Sequence, residues 1–150
     1  MAVQLEQGPA PLAAEPVLEV IDLVTEIRTM PGPVRPVNRV SLRVAPGQAV
    51  GLVGESGSGK SMTAFSIMRL FPTPAARVVE GRVLLQGRDL TPLPEAELRR
   101  VRGSRMGMVF QDPSAYLNPV LTVGAQIAEQ LRAHRWPGPV EERVAHLLRQ

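Results

Sequence analysis

The segment Gly54-Glu-Ser-Gly-Ser-Gly-Lys-Ser61 constrains the fold more than any other stretch of the chain. It matches the spacing G-x-x-x-x-G-K-[ST]. It lies between Gln48–Val53 (QAVGLV), which reads as a buried strand, and Lys60–Phe71 (KSMTAFSIMRLF), which reads as a helix packed on most sides. Glycines 54, 57 and 59 let the backbone curl and turn successive amides inward as an anion nest. The helix that starts near Gly59 aims its positive end at the same point. Lys60 supplies a compact charge for the β- and γ-phosphates, and the Ser61 hydroxyl is suited to a phosphate-bound magnesium ion. With 13 glycines in 150 residues, a chance match has odds on the order of one in a thousand. The nucleotide-binding set is therefore Gly54, Glu55, Ser56, Gly57, Ser58, Gly59, Lys60, Ser61 and Met62.

The basic residues support this choice. Of 17 Lys+Arg, all but Lys60 are arginine. A planar guanidinium suits carboxylate pairs and surface charge, whereas a narrow ammonium fits a tight glycine cradle without crowding phosphates. The net charge of only +3 gives little support to a nucleic-acid role, and no nucleic-acid partner is expected. There are no cysteines, which excludes disulfide scaffolds, thiolate metal sites and thiol catalysis. With two histidines, His134 and His146, a histidine metal cluster is not expected, and both read as surface residues on amphipathic helices. No apolar run is long enough to span a bilayer, and the N-terminus carries no positive charge ahead of its short apolar pieces. A cytosolic protein, soluble or peripheral to a membrane, is expected.

Fifteen prolines, about twice the usual share, punctuate the chain in clusters. Proline lacks the amide donor that helices and central strands need, so these clusters mark connections. Residues 1–16 read as a flexible leader. Val17–Arg28, Val37–Val44, Gly81–Leu85 and Arg105–Phe110 read as strands. Pro94–Val101, Val123–His134 and Val140–Gln150 read as helices. Interleaved strands and helices indicate an α/β protein. Asp22 reads as a strand-end surface residue. Arg99, Arg100, Arg102 and Arg105 read as a solvated helix end, and Trp136 reads as a packing residue at a turn.

Fifty residues after the glycine loop comes Met108-Val-Phe-Gln-Asp-Pro113, extended by Ser-Ala-Tyr-Leu-Asn-Pro119 and Val120-Leu-Thr-Val-Gly124. Together with the loop's own wording, this resembles the ATP-binding subunit of ABC transporters in the dipeptide/oligopeptide/nickel importer branch. The likeness covers about residues 17–150. It implies the N-terminal part of an ABC-type P-loop ATPase: an incomplete core, an antiparallel β-subdomain and the start of the helical subdomain. It implies ATP and Mg2+ as ligands. Gln111 would be the residue that contacts magnesium and the attacking water, with Lys60 beside it in catalysis and Ser61 and Gln111 toward the metal. Tyr116 and Leu117 would face a membrane permease. The implied partners are permease subunits and a second ATP-binding subunit, identical or not. The implied location is the cytoplasmic face of the plasma membrane, and the implied activity is import of peptides or related solutes.

The sequence departs from that pattern in two ways. The stretch 29–38 contains no aromatic residue to stack on adenine. The signature Leu-Ser-Gly-Gly-Gln, an Asp-Glu strand end and a switch histidine do not occur in the 150 residues. The chain is therefore expected to be a fragment or a natural truncation that holds phosphates without turning ATP over well. Two rivals stand beside this reading: a non-hydrolysing decoy subunit that docks on a permease, and another P-loop NTPase that uses Asp112 for magnesium.

Overall fold

A computed structural model describes residues 4–7, 15–112 and 116–150, with only the backbone described for 4–7. The elements in chain order are β1 (Gln4–Gln7), β2 (Leu18–Ile27), β3 (Val34–Val44), β4 (Val50–Val53), α1 (Lys60–Met68), β5 (Ala76–Leu85), β6 (Arg88–Asp89), α2 (Glu95–Val101), α3 (Val123–Ala133) and α4 (Val140–Leu147). They fall into two compact units, Met1–Leu93 and Pro94–Gln150.

The first unit is built on an antiparallel sheet of order β3-β2-β5-β6. The alternating apolar residues of β2 and β3 bury Val20, Leu23, Val24, Val37 and Leu42, and β5 adds Val83 and Leu85. Helix α1 contributes Thr63, Ser66, Ile67 and Met68 to this unit's buried set. The centre of β2 is bulged. Ile21 pairs with Arg82 and Val24 with Glu80, so β2 carries one extra residue there. Asp22 occupies the bulge with φ 44°. Opposite it lies Gly81 (φ 86°), where any Cβ would strike the Ile21 and Asp22 carbonyls. Asp22 is thus an exposed mid-strand residue and not a strand end. Its amide is held by Ser41 Oγ at 2.8 Å.

Three further expectations are corrected. Within the predicted leader, Gln4–Gln7 form a strand antiparallel to β4; residues 1–3 and 8–14 lie outside the described residues. The strand before the glycine loop is not buried: β4 alternates half-buried and exposed positions, and Val53 is 50% exposed. Among the described residues its ladder partner is β1 alone, so an apolar run that would fill a central strand remains at an edge. The apolar run Arg105–Phe110 forms no strand but only a single parallel bridge, Arg102 to Met106, and Val109 is 89% exposed. A β-segment is held by its neighbours, and the second unit contains no named strand among its described residues.

Helix α1 stops at Met68, earlier than predicted. Arg69 closes it in the left-handed conformation (φ 50°), and its amide donates to the Phe65 and Ser66 carbonyls. In the second unit, α3 and α4 pack as an antiparallel pair joined by a Trp-Pro-Gly-Pro turn. The Arg143 guanidinium lies 5.1 Å from the centre of the Trp136 ring, so Trp136 does pack at this turn. Arg99 and Arg102 both pair with Glu95 on α2; Arg99, Arg100 and Arg105 are exposed as expected, but the Arg102 side chain is only 15% exposed, so it is not part of a solvated end. Both histidines are exposed. Among the described residues, no helix is long and apolar enough to cross a membrane.

Candidate functional site

The glycine loop joins β4 to α1 in the first unit, and its shape follows from local steric rules. Gly57 (φ 80°) and Gly59 (φ 97°) lie in the left-handed region that costs glycine nothing. Gly59 has a second reason to be glycine: a Cβ there would collide with the Pro36 carbonyl on β3. At Gly54 a Cβ would meet only the Ser58 hydroxyl, at 2.7 Å, which a rotation of that side chain could relieve. The Ser58 amide closes the turn on the Glu55 carbonyl at 3.2 Å.

The start of α1 is open to an anion. Its N-cap Gly59 offers no side-chain acceptor, and the first turn carries no acidic residue. The first-turn amides are therefore left for an incoming negative group, which the helix dipole also favours. Thr63 secures the turn from behind, its amide and its hydroxyl both donating to the Gly59 carbonyl, at 2.8 and 2.9 Å.

Lys60 folds back over the loop. Its Nζ donates to the carbonyls of Gly54 and Glu55, each at 2.7 Å, and approaches Ser58 Oγ at 3.4 Å. The ammonium is thus bonded to neutral carbonyls that a phosphate oxygen can replace with a stronger, charge-assisted partner. Ser61 is exposed on the adjoining helical position. Among the described residues no cluster of three or more His, Asp or Glu side chains could hold a metal. A magnesium ion carried by phosphates, with a single hydroxyl from the protein, fits this donor set.

The remaining predicted residues belong to the second unit. Gln111 and Asp112 are exposed. Tyr116 and Leu117 are 60% and 46% exposed, so neither is a core residue. Tyr116 stacks on Phe110 with ring centres 3.7 Å apart and planes 14° apart. Pro113, Ser114 and Ala115 lie outside the described residues.

Sequence reasoning missed the support of this loop. Gln126, in the first turn of α3, receives the Asn118 amide at 2.9 Å and donates to the Asn118 and Leu121 carbonyls, both at 3.1 Å. Asn118 Oδ1 accepts from the Val120 amide, and the N-cap Thr122 accepts from the Ala125 amide. The signal for such a brace was faint: an amide residue one turn into a helix that follows an Asn-Pro turn.

Comparison with known proteins places this geometry in context. The family model described as ABC transporter matches residues 37–150. A Brucella ovis protein assigned to peptide import as an ATP-binding protein is 45% identical over 129 residues, 83% of this chain and 38% of its own length. The oligopeptide transport ATP-binding protein OppD of Bacillus subtilis is 45% identical over 117 residues, 78% of this chain and 33% of its own. The chain thus spans less than two fifths of the curated relatives it matches. A dimeric ATP-binding cassette, solved in a post-hydrolysis state with ADP and phosphate, superposes with a TM-score of 0.67. The superposition is at 21% identity and covers 88% of this chain and 56% of that one. At that identity the likeness shows the fold.

Proposed function

The chain belongs to the ABC transporter family, and from that premise we propose that it is the phosphate-holding portion of an ATP-binding subunit serving import of peptides or related solutes. The observation that carries this reading is the placement of the Lys60 ammonium over the loop carbonyls of Gly54 and Glu55, at the uncapped start of α1. In this reading residues 17–150 are the nucleotide-binding stretch and 1–16 precede it. Gly54–Gly59 wrap the phosphates with backbone amides, Lys60 neutralises charge on the terminal phosphates, and Ser61 ligates the magnesium that arrives with ATP. Met62 completes the contact set on the first turn. Gln111 takes the part that the resemblance implies for it, toward magnesium and the attacking water. The exposed pair Tyr116 and Leu117 anchors a permease, and a second ATP-binding subunit completes a dimer at the cytoplasmic face of the membrane. Peptides are the proposed solute class because relatives at this identity are named for peptide import and oligopeptide transport.

Binding of a non-hydrolysable ATP analogue with magnesium tests the reading. Lys60→Ala removes charge-assisted hydrogen bonds worth about 1.5–3 kcal/mol each, so affinity should fall by about 30-fold or more. Unchanged affinity in a folded variant would remove the assignment.

A further inference from the structure

We propose that β1 (Gln4–Gln7) is a positioning strand for the glycine loop: by pairing with β4 it holds the limb of chain that enters the loop, and its docking and phosphate binding strengthen each other. This inference rests on the phosphate-binding reading of Gly54–Ser61 and adds to it a segment far from the motif in sequence.

The two limbs of the loop are held by different means. The outgoing limb runs into α1, where Thr63 and Ser66 are buried, Thr63 donates to the Gly59 carbonyl, and Ser66 is bonded to Thr25 on β2. The Pro36 carbonyl closes on Gly59 from β3. The incoming limb is β4, in which no residue is buried. Among the described residues its ladder partner is β1 alone. The register is Gln4 to Val53, Leu5 to Leu52, Glu6 to Gly51 and Gln7 to Val50. The pairing therefore reaches the residue before Gly54, where the loop begins.

Lys60 shares in this hold while the loop is empty, since its ammonium bonds the Gly54 carbonyl at 2.7 Å. A phosphate that draws the ammonium to itself releases that carbonyl. The β1 ladder then remains as the hold on the strand leading to it.

Both states of β1 lie within reach of a ligand. Gln-Leu-Glu-Gln has one apolar residue in four, so the strand brings little hydrophobic surface and is held by backbone hydrogen bonds. A two-stranded ladder of this length is marginal by itself, and such segments open locally at small cost. A phosphate that fixes Gly54 against the start of α1 also fixes the end of β4, and with it the template on which β1 docks. By linkage, a docked β1 raises phosphate affinity by the same factor.

The test measures binding of magnesium with inorganic triphosphate, and of a non-hydrolysable magnesium–ATP analogue, to the 150-residue chain and to a chain lacking residues 1–7. The deletion should weaken both ligands equally, by about fivefold or more, the net worth of one or two ladder hydrogen bonds. Amide protection in β2, β3 and β5 should stay as in the full chain. If the shortened chain does not fold, two proline variants decide the matter. Alternate residues of an antiparallel strand turn their amides to the partner, and β1 is an edge strand. Of Leu5→Pro and Glu6→Pro, one therefore removes a ladder amide and should weaken binding as the deletion does, while the other should bind like the parent. In the full chain, magnesium triphosphate should also slow amide exchange at residues 4–7 together with 50–53. Equal binding by the two proline variants, or exchange at 4–7 that ignores the ligand, overturns the positioning role. Failure of the full chain to bind inorganic triphosphate would instead strike the phosphate-binding reading, and this inference with it.

Discussion

Ser66 lies fully buried on α1, where it accepts a hydrogen bond from Thr25 Oγ1 at 2.6 Å and donates to the Met62 carbonyl at 2.6 Å. The pair stitches the central strand β2 to the helix whose first turn holds Lys60. Ser66→Ala would leave the Thr25 hydroxyl buried with its partner gone, a loss of about 1–3 kcal/mol. Urea unfolding should show that loss for Ser66→Ala alone and a smaller one for the double variant Thr25→Val/Ser66→Ala, which removes both partners. Equal losses would mean the hydroxyls are not coupled. The sequence named both residues only as members of apolar segments, because nothing in a period-2 or 3.6-residue pattern announces a polar pair in a core. Lys60 was the opposite case. Its role follows from neighbours within six positions, and the structure places its ammonium on those neighbours.

The loop before α3 and the paired carboxylates of the two units show what whole elements require. Gln126 ties residues 118–121 to α3 through three hydrogen bonds, so Gln126→Ala should raise amide exchange at Val120 and Leu121 while leaving α4 protected. Unaltered exchange there would show that the loop is held by other means. Asp89 and Glu95 both titrate below their ordinary values of 3.8 and 4.5. Burial alone would raise Asp89, but hydrogen bonds from Arg82 and Thr91 outweigh it. Glu95 is lowered first by its hydrogen bond from Arg102, against a smaller opposing effect of burial. A lowered folded-state pKa stabilises above the unfolded value, and that stability is lost as pH falls through the lowered one. Melting temperature should therefore drop as pH falls below about 4.5. In Asp89→Asn/Glu95→Gln the drop should be shallower across the same window, and identical slopes would exclude these pairs as its source.

On the proposed reading, holding phosphates and turning them over are separable. Hydrolysis needs a positioned water, full metal coordination and stabilisation of developing charge. The 150 residues offer the loop, Lys60, Ser61 and Gln111, but contain no Leu-Ser-Gly-Gly-Gln and no Asp-Glu pair. The purified chain should bind magnesium–ATP yet release phosphate far more slowly than about 1 per second, the low end of ordinary enzyme turnover. Release at or above that rate would show that these groups suffice.

The amino-acid sequence determined the α/β class, the glycine positions of the loop and most helix and strand positions. These depend on glycine torsions, helix-end amides and side-chain periods that act within a turn or two of chain. The tertiary structure alone decided that β4 and the Met106–Phe110 run are not buried central strands, that Asp22 sits in a bulge opposite Gly81, and that Pro36 closes on Gly59. Each of these depends on which distant backbone lies alongside. An apolar run carries the same pattern whether its neighbours are two strands, one or none, so its burial is set by pairing and not by its own residues.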